Sequence, residues 1–362
     1  MIKIYWFLPT SGDMGCSETG KQIPRKATFE YLESIVVAGE ALGYEGFLTP
    51  AGSWAADGWV SAALLSAKTD RIKFMIAFRP GLVAPLLAAQ MAATFEQLRP
   101  GRIVLNIVTG GDPKDQQRYG DFHGKSARYE RTEEFLDVVS ALWRSERVNF
   151  SGTHVQVADA RLVNPPAGGG PHIYLSGSSE QAFSVAAKHA DTYLCWGEPP
   201  SEAAEKIRAV RKQAMAQGRA PTYGTRFSVL TRDTEQEAWQ EAERMLAECD
   251  PDWRKAVASR AQSTESEGQR RMTALADRFR ETGDPRDLIV APNLWAGLGL
   301  IRAGAGTMLV GSHAQVADVL TEYHELGFSE FVLGRSPHLE EAYAFGEGVL
   351  PILEKRGLWR HP

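Results

Sequence analysis

The amino-acid sequence predicts one α/β domain over residues 1–362, a (β/α)8 barrel with insertions, on the basis of three observations. Short apolar runs alternate with longer segments of helical periodicity, as parallel strands require because their connections cross over as helices. Eight strand–helix repeats follow without a clear break, which favours a closed barrel over an open doubly wound sheet. The length of 362 residues suits one such barrel with added segments.

The first four repeats are closely spaced. Their predicted strands are Ile2–Leu8, Phe47–Thr49, Ile72–Phe78 and Ile103–Val108. Their predicted helices are Thr28–Leu42, Gly58–Ala67, Ala84–Gln97 and Tyr129–Trp143. Gly43 is expected to end the first helix as its C-cap. The polar stretch Arg147–Val157 then predicts an added hairpin.

The second half continues the pattern and is interrupted once. Its predicted strands are His172–Leu175, Thr192–Trp196, Phe227–Leu230 and Phe331–Leu333. Its predicted helices are Ser179–Ala190, Glu202–Gln217, Glu235–Ala247, His313–Leu326 and Leu339–Leu353. Between about Asp250 and Gly311 lie some sixty residues of polar sequence that end in the glycine-dense run GLGLIRAGAG. A connection this long is usually functional, so we expect a mobile lid at about 250–300, with a peripheral helical decoration as the alternative.

Composition and charge exclude several classes of protein. At 43% hydrophobic and 23% charged residues the chain is typical of a globular protein, and its net charge of −5 disfavours a nucleic-acid partner. Three scattered cysteines, Cys16, Cys195 and Cys249, provide neither a disulfide framework nor a zinc site. The apolar run in MIKIYWFLPT is too short for a signal peptide, and none approaches the roughly 18 residues of a membrane span. We therefore expect a cytoplasmic enzyme.

Motifs for a protein nucleophile or a metal site are absent from the sequence, which contains no HExxH, CxxC, GxSxG or Walker pattern. This suggests that a cofactor carries the chemistry. The best anion site is HIYLSGSSE, where a strand runs through Ser176 and Gly177 into Ser178 and Ser179 and a helix begins. The N-terminus of a helix favours a phosphate, and a plain serine N-cap is the alternative.

Further polar residues fall at predicted strand ends. Asn106 and Thr109 in NIVTGGDP are placed to hydrogen-bond a planar heterocycle, unless this segment is only a turn. Arg79, Arg226 and Arg302 would bind an anionic substrate if they converge, although a single arginine is more often a salt-bridge partner.

Two further candidates have a structural alternative. His338 directly follows the last strand and Pro337, where it is either a site residue or a structural hydrogen-bonding group. Trp196 ends the sixth strand, where it lines a pocket or only packs in the core.

Seven segments together closely resemble the alkanesulfonate monooxygenases of the bacterial-luciferase-like family. They are YWFLPTSGD, IAFRPGLVAPLLAAQMAATFEQL, GRIVLNIVTGGDP, YLSGSSEQA, YLCWGEPP, APNLWAGLGLIRAGAGTMLVG and PHLEEAY. The resemblance runs from about Ile4 to Leu353, nearly the whole chain. It implies reduced FMN (FMNH2) as cofactor, delivered by a separate NAD(P)H-dependent flavin reductase, and O2 as co-substrate. A sulfonate would be cleaved to sulfite and an aldehyde, and the chain would form a homodimer or a dimer of dimers.

The resemblance also assigns site residues by motif. It implies flavin contacts at Asn106, Thr109, Tyr129, Ser176, Gly177, Ser178 and Ser179, with the serines at the phosphate. Ala77 belongs to this cofactor set because the family tends to carry a non-prolyl cis peptide where this chain has Ala77–Phe78. It places Trp196, Arg226, Arg302 and His338 around the sulfonate, the last three as catalytic residues.

The chain departs from the alkanesulfonate pattern at four places in the pocket. The family's larger side chains are replaced by Ser11, Ser228 and Ser336, and a cysteine is replaced within Trp54–Ala55. Small hydroxyls suit a bulky polyhydroxylated sulfonate, so these three serines are expected to bind substrate. The pattern resembles the sulfoquinovose monooxygenases of the same family, which release sulfite and 6-oxo-glucose. The alternatives are an alkanesulfonate or methanesulfonate monooxygenase, a deazaflavin-dependent dehydrogenase and a non-catalytic flavin-binding protein.

Overall fold

Eight parallel strands close into one barrel, which confirms the predicted fold class. The computed structural model describes residues 1–13 and 25–362, so Cys16 lies outside the described residues. The strands of the described part are β1 (Lys3–Phe7), β2 (Gly46–Thr49), β3 (Lys73–Phe78), β4 (Ile103–Ile107), β5 (Val148–Ser151), β6 (Gln156–Ala160), β7 (His172–Ser176), β8 (Thr192–Trp196), β9 (Thr222–Arg226), β10 (Ser228–Arg232), β11 (Ile289–Ala291), β12 (Leu294–Trp295), β13 (Met308–Ser312) and β14 (Glu330–Leu333). The barrel order is β1-β2-β3-β4-β7-β8-β9-β14, and β14 pairs with β1 to close it.

Helices follow most barrel strands and cover the outside of the barrel. The α-helices of the described part are α1 (Phe29–Ala41), α2 (Gly58–Ser66), α3 (Pro85–Leu98), α4 (Pro113–Arg118), α5 (Lys125–Trp143), α6 (Glu180–His189), α7 (Pro200–Met215), α8 (Glu235–Glu248), α9 (Pro251–Gln262), α10 (Glu267–Ala274), α11 (Asp277–Thr282), α12 (Leu298–Ile301), α13 (His313–Glu325), α14 (His338–Gly348) and α15 (Leu350–Lys355). A 3-10 helix spans Pro285–Leu288. The predicted final helix Leu339–Leu353 is divided into α14 and α15 at Val349.

The alternation of side chains along each strand produces two apolar layers. Tyr5 and Trp6 are neighbours in β1, yet Tyr5 belongs to the cluster that fills the barrel lumen and Trp6 to the core under the helices. The lumen cluster is Tyr5, Leu48, Met75, Val104, Tyr174, Leu194 and Val332. Because these side chains fill the lumen, a ligand cavity has room only at an end of the barrel.

The predicted position of the seventh barrel strand is wrong. The barrel strand is β9, Thr222–Arg226, whereas the predicted run Phe227–Leu230 lies at the start of β10. The sequence of β9 is polar and therefore does not show the apolar pattern of a buried strand. Its place in the barrel depends on backbone pairing with the neighbouring strands β8 and β14. β10 turns away and pairs with β13 in a second sheet of order β10-β13-β12-β11.

Residues 250–307 form an ordered insertion rather than a structureless connection. It contains α9 to α12, the 3-10 helix, β11 and β12. Helix α8 and the second sheet bury their own apolar cluster, which includes Leu230, Ala242 and Met308. The insertion is helical, as the alternative reading proposes, and it lies over the mouth of the barrel, as a lid does.

The expected cis peptide at Ala77–Phe78 is absent. Among the described residues the cis bond is Ser336–Pro337. Both Ala77 and Phe78 keep regular pairing with β4, so the chain continues as an ordinary strand there.

Within residues 1–13 and 25–362, no helix combines the length and the apolar character that a membrane span requires.

Candidate active site

One large cavity of about 830 Å³ opens at the carboxyl ends of the barrel strands, the end where barrel enzymes carry their sites. The insertion forms its roof through residues that include Trp253, Gln269 and Arg302. The predicted site residues that line it are Ser11, Ala77, Asn106, Thr109, Tyr129, Ser176, Gly177, Ser178, Ser179, Trp196, Arg226, Arg302, Ser336 and His338. Ser228 does not line the cavity, because it is the first residue of β10 and pairs with Met308 in the second sheet.

Arg226 is a cation without an ionic partner among the described residues. It ends β9 beside Trp196 of β8, and its guanidinium lies 4.7 Å from the ring centroid of Phe7. Burial, followed by the charge of Arg302, lowers the pKa of Arg226 to about 9. Two like charges at one end of a cavity favour an anion between them.

His338 begins α14 on the same side of the cavity. Its side chain is buried, and the ring centroids of His338 and Phe7 are 5.5 Å apart. Burial lowers the pKa of His338 to about 4, and Arg302 and Arg226 act in the same direction against the opposing charge of Asp13. The imidazole is therefore neutral at pH 7 and can donate or accept a hydrogen bond.

Asp13 organises this side of the cavity, although the sequence analysis did not select it. Its carboxylate accepts hydrogen bonds from the Ser336 hydroxyl at 2.5 Å and from the backbone N–H of His338 at 2.6 Å. The Tyr31 hydroxyl also donates to it. Burial alone would raise the pKa of Asp13, but His338 and these hydrogen bonds hold it below its usual value. Its position in the loop that follows the first barrel strand was the available signal.

Arg79 also lines the cavity but does not share the role of Arg226. Its guanidinium donates to the buried carboxylate of Asp115 at 2.6 Å and to the backbone oxygen of Ala51 at 2.9 Å. Its charge is thus neutralised within the protein. Of the three candidate arginines, Arg226 and Arg302 therefore remain as candidates for an anion site.

The opposite side of the cavity carries hydrogen-bonding groups around a wider space. The Ser176 hydroxyl donates to Oδ1 of Asn106 at 2.6 Å, across the pair of strands β7 and β4. The carbonyl of Thr109 accepts from the Gln116 side chain at 2.9 Å, which holds the turn after β4. This arrangement leaves the Asn106 amide and the Thr109 hydroxyl for a planar polar ligand.

The cavity ends at Ser178 and Ser179, before the N-terminus of α6. Ser179 is the N-cap, and its hydroxyl oxygen accepts from the N–H of Ala182. The neighbouring backbone is crowded, because a Cβ on Gly177 would lie 2.5 Å from that of Ala182. Beyond Ser178 and Ser179 a second cavity of about 430 Å³ opens outward, lined also by Lys125, Lys206 and Arg271. The serines separate the two spaces.

The insertion is tied to the barrel mouth by charged and polar contacts. Arg271 of α10 forms two hydrogen bonds with the carboxylate of Glu198, at 2.9 and 2.7 Å. Glu265 pairs with Arg128 of α5 at 2.7 Å. The Thr264 hydroxyl donates to the backbone oxygen of Gly111 at 2.5 Å. These contacts close the cavity over the half that carries the serines.

The chain belongs to the luciferase-like monooxygenase family. Residues 2–330 match the sequence model of that family, which is most of the 362 residues. The family assignment and the closed barrel agree, and both place the site at the carboxyl ends of the strands.

Solved structures share this fold at low sequence identity. A riboflavin lyase (RcaE), with modified FMN and its substrate riboflavin bound, has a TM-score of 0.83 at 21% identity, covering 100% of this chain and 93% of the other. EDTA monooxygenase (EmoA) from Chelativorans sp. BNC1 has a TM-score of 0.81 at 22% identity, covering 99% and 95%. An F420-dependent secondary alcohol dehydrogenase with an F420-acetone adduct has a TM-score of 0.67 at 17% identity, covering 97% and 98%. These likenesses show the fold alone.

Proposed function

We propose that this protein is a two-component organosulfonate monooxygenase that uses reduced FMN and O2. The observation that carries the proposal is the pair of arginines at the cavity, in which Arg226 has no carboxylate partner among the described residues. A half-buried guanidinium without a counter-charge is costly unless a ligand supplies one. A sulfonate is a permanent anion whose oxygens match the guanidinium donors.

The residues of the site fit a flavin mononucleotide. The wide part of the cavity presents the Asn106 amide and the Thr109 hydroxyl for the ring, and its end presents Ser178 and Ser179 beside the N-terminus of α6 for the phosphate. The similar riboflavin lyase was solved with a modified FMN. When bound, the reduced flavin would supply the activation of O2.

The chain's own residues position the substrate and exclude water. Arg226 from the barrel and Arg302 from the insertion would hold the sulfonate, and neutral His338 would orient it through a hydrogen bond. Trp196, which lines the same cavity, would bound the substrate space. In the overall reaction the carbon–sulfur bond breaks, sulfite leaves with its electron pair, one oxygen atom enters the aldehyde and the other leaves as water.

We propose sulfoquinovose as the substrate, with 6-oxo-glucose as the aldehyde product. Ser11 and Ser336 line the cavity, whereas Ser228 does not, so the argument depends on two of the three serines. The Ser336 hydroxyl donates to Asp13, so this side of the cavity is polar and suits a hydroxylated substrate better than an alkyl chain. The alternative substrate class is a linear alkanesulfonate, which has no hydroxyl groups to match this polar side of the cavity.

A deazaflavin-dependent dehydrogenase is the second candidate. The observation that favours it is the shared fold of the F420-dependent alcohol dehydrogenase. The arginine pair favours the sulfonate enzyme, because hydride transfer to or from a neutral alcohol does not need an anion site.

The proposed partners are a separate NAD(P)H-dependent flavin reductase and a second copy of this chain, as a dimer or a dimer of dimers. Helix α2 exposes Val60 and Leu64, which is consistent with an apolar contact between copies.

Sulfite release across a panel of sulfonates tests this function. With reduced FMN supplied by any flavin reductase, sulfoquinovose is expected to release sulfite at least tenfold faster than octanesulfonate or methanesulfonate, because each unpaired buried polar group costs on the order of 1–3 kcal/mol. A faster linear alkanesulfonate would overturn the sugar substrate alone. Sulfite from none of them, together with hydride transfer from reduced F420, would favour the dehydrogenase.

A further inference from the structure

We propose that Lys206 is the residue that makes the cofactor site selective for the phosphorylated flavin. The inference rests on the proposed flavin-dependent function and assigns a role to a lysine that the fold buries beside Ser178. Lys206 lies on the apolar face of α7, which also carries Ala203, Ile207 and Val210. Its side chain is only 4% exposed, and lysines are rarely buried unless they are paired.

The ammonium group of Lys206 lies between the Glu198 carboxylate and Ser178, at the proposed cofactor end of the cavity. It donates to the Glu198 carboxylate at 2.6 Å and to the Ser178 hydroxyl oxygen at 2.8 Å. Because Lys206 occupies a lone pair of Ser178, the hydroxyl hydrogen of Ser178 is free to point toward an acceptor in the cavity. A phosphate oxygen is such an acceptor, so Lys206 orients the donor.

The charges around Glu198 leave a positive surplus at this serine. Glu198 is 2% exposed, and it is shared by Lys206 and by Arg271 of the insertion. Two cations and one anion give this cluster a net charge of +1. An arriving phosphate would balance it in a partly buried setting, where charge pairs are stronger than in water.

The outer cavity as a whole does not attract anions. Glu180, Glu205 and Glu267 share its wall with Lys125, Lys206 and Arg271. Selectivity for the phosphate therefore depends on the groups that reach Ser178, and among the cations of this wall Lys206 is the one with a hydrogen bond to that serine.

Anaerobic binding of reduced FMN and reduced riboflavin to the full chain tests the proposal. Riboflavin shares the ring and lacks the phosphate, so the ratio of the two dissociation constants isolates the phosphate contribution. In Lys206→Met the affinity for reduced FMN is expected to fall about tenfold to a hundredfold, as for loss of a charge-assisted contact, whereas the affinity for riboflavin changes less than threefold. Lys206→Arg should keep most of the preference for FMN.

Lys212→Met is the matched control, because Lys212 lies on the same helix and is exposed. It should leave both affinities unchanged. Retained riboflavin binding in Lys206→Met shows that the variant is folded. An unchanged ratio in that variant, or an equal fall for both flavins, would overturn the proposal. A wild-type chain that binds neither flavin would overturn the flavin-dependent function and this inference with it.

Discussion

At the scale of single residues, buried Arg335 and half-buried Arg226 have opposite surroundings. Arg335 is 4% exposed and pairs with Glu341 and with Glu241, the latter at 2.8 Å. Arg226 has Phe7 and Arg302 around it and no ion pair within the described residues. The first arginine is paired within the fold, and the second is the group to which we assign substrate binding.

The two arginines should therefore respond differently to the same substitution. Arg226→Met is expected to reduce sulfite release at least a hundredfold and to leave the free energy of unfolding unchanged or higher, because it removes an unpaired buried charge. Arg335→Met should lower the free energy of unfolding by about 1.5–3 kcal/mol, since it removes one of the two arginines, Arg335 and Arg232, that pair with buried Glu341. Urea unfolding and sulfite assays measure both effects. A strongly destabilised Arg226→Met would contradict the binding role.

At the scale of elements, the insertion over residues 250–307 and the barrel each contribute one arginine to the proposed anion site. Arg226 ends a barrel strand, whereas Arg302 follows α12 within the insertion. An anion held by both arginines links the two elements directly. The contact of Arg271 with Glu198 links them at the opposite end of the cavity.

Substrate should therefore restrain the insertion. Limited trypsin digestion within residues 250–307 is expected to slow at least threefold when a sulfonate is added to the flavin-loaded enzyme. In Arg302→Ala, added sulfonate should no longer slow the digestion, whereas any protection that the flavin alone gives should remain. Identical cleavage rates with and without sulfonate in the wild-type protein would show that the insertion does not act as a mobile lid.

At the scale of the whole molecule, the buried site makes stability depend on pH. The pKa of His338 is about 4 in the folded chain, below the usual 6.5 of an unfolded histidine. Between these values the unfolded chain binds a proton that the folded chain does not. The contribution of this group to stability is therefore lost as the pH falls from about 6.5 toward 4.

Replacing His338 with Asn should remove this part of the pH dependence. Between pH 5 and 6.5 the free energy of unfolding of the wild-type protein is expected to fall more steeply on acidification than that of His338→Asn, by up to about 1.4 kcal/mol per pH unit. Other buried histidines, such as His189, are present in both proteins and cancel in the comparison. Parallel curves from chemical unfolding would show that His338 is not held neutral.

The sequence by itself determined the barrel and the identity of most residues around the cavity. Local periodicity marks strands and helices, and the carboxyl ends of parallel strands must converge, so Asn106 and Trp196 could be placed together before their distances were known. Arg226 precedes the predicted strand Phe227–Leu230, and it lies at the same end of the barrel because the strand is in fact Thr222–Arg226. Periodicity failed at Thr222–Arg226, because a polar strand bonded on both sides does not need an apolar sequence of its own. For the same reason the prediction for Ser228 is wrong, because this residue belongs to the second sheet and does not line the cavity.

Only the tertiary structure decided which charges are paired. Arg79 and Arg226 look alike in the sequence, yet Arg79 meets Asp115 across 36 positions of chain while Arg226 meets no carboxylate of the described residues. The roles of Asp13 and Lys206 were hidden for the same reason, since their partners Ser336 and Ser178 are far from them in sequence. Pairing depends on distance in space, which a residue's neighbours in the chain do not determine.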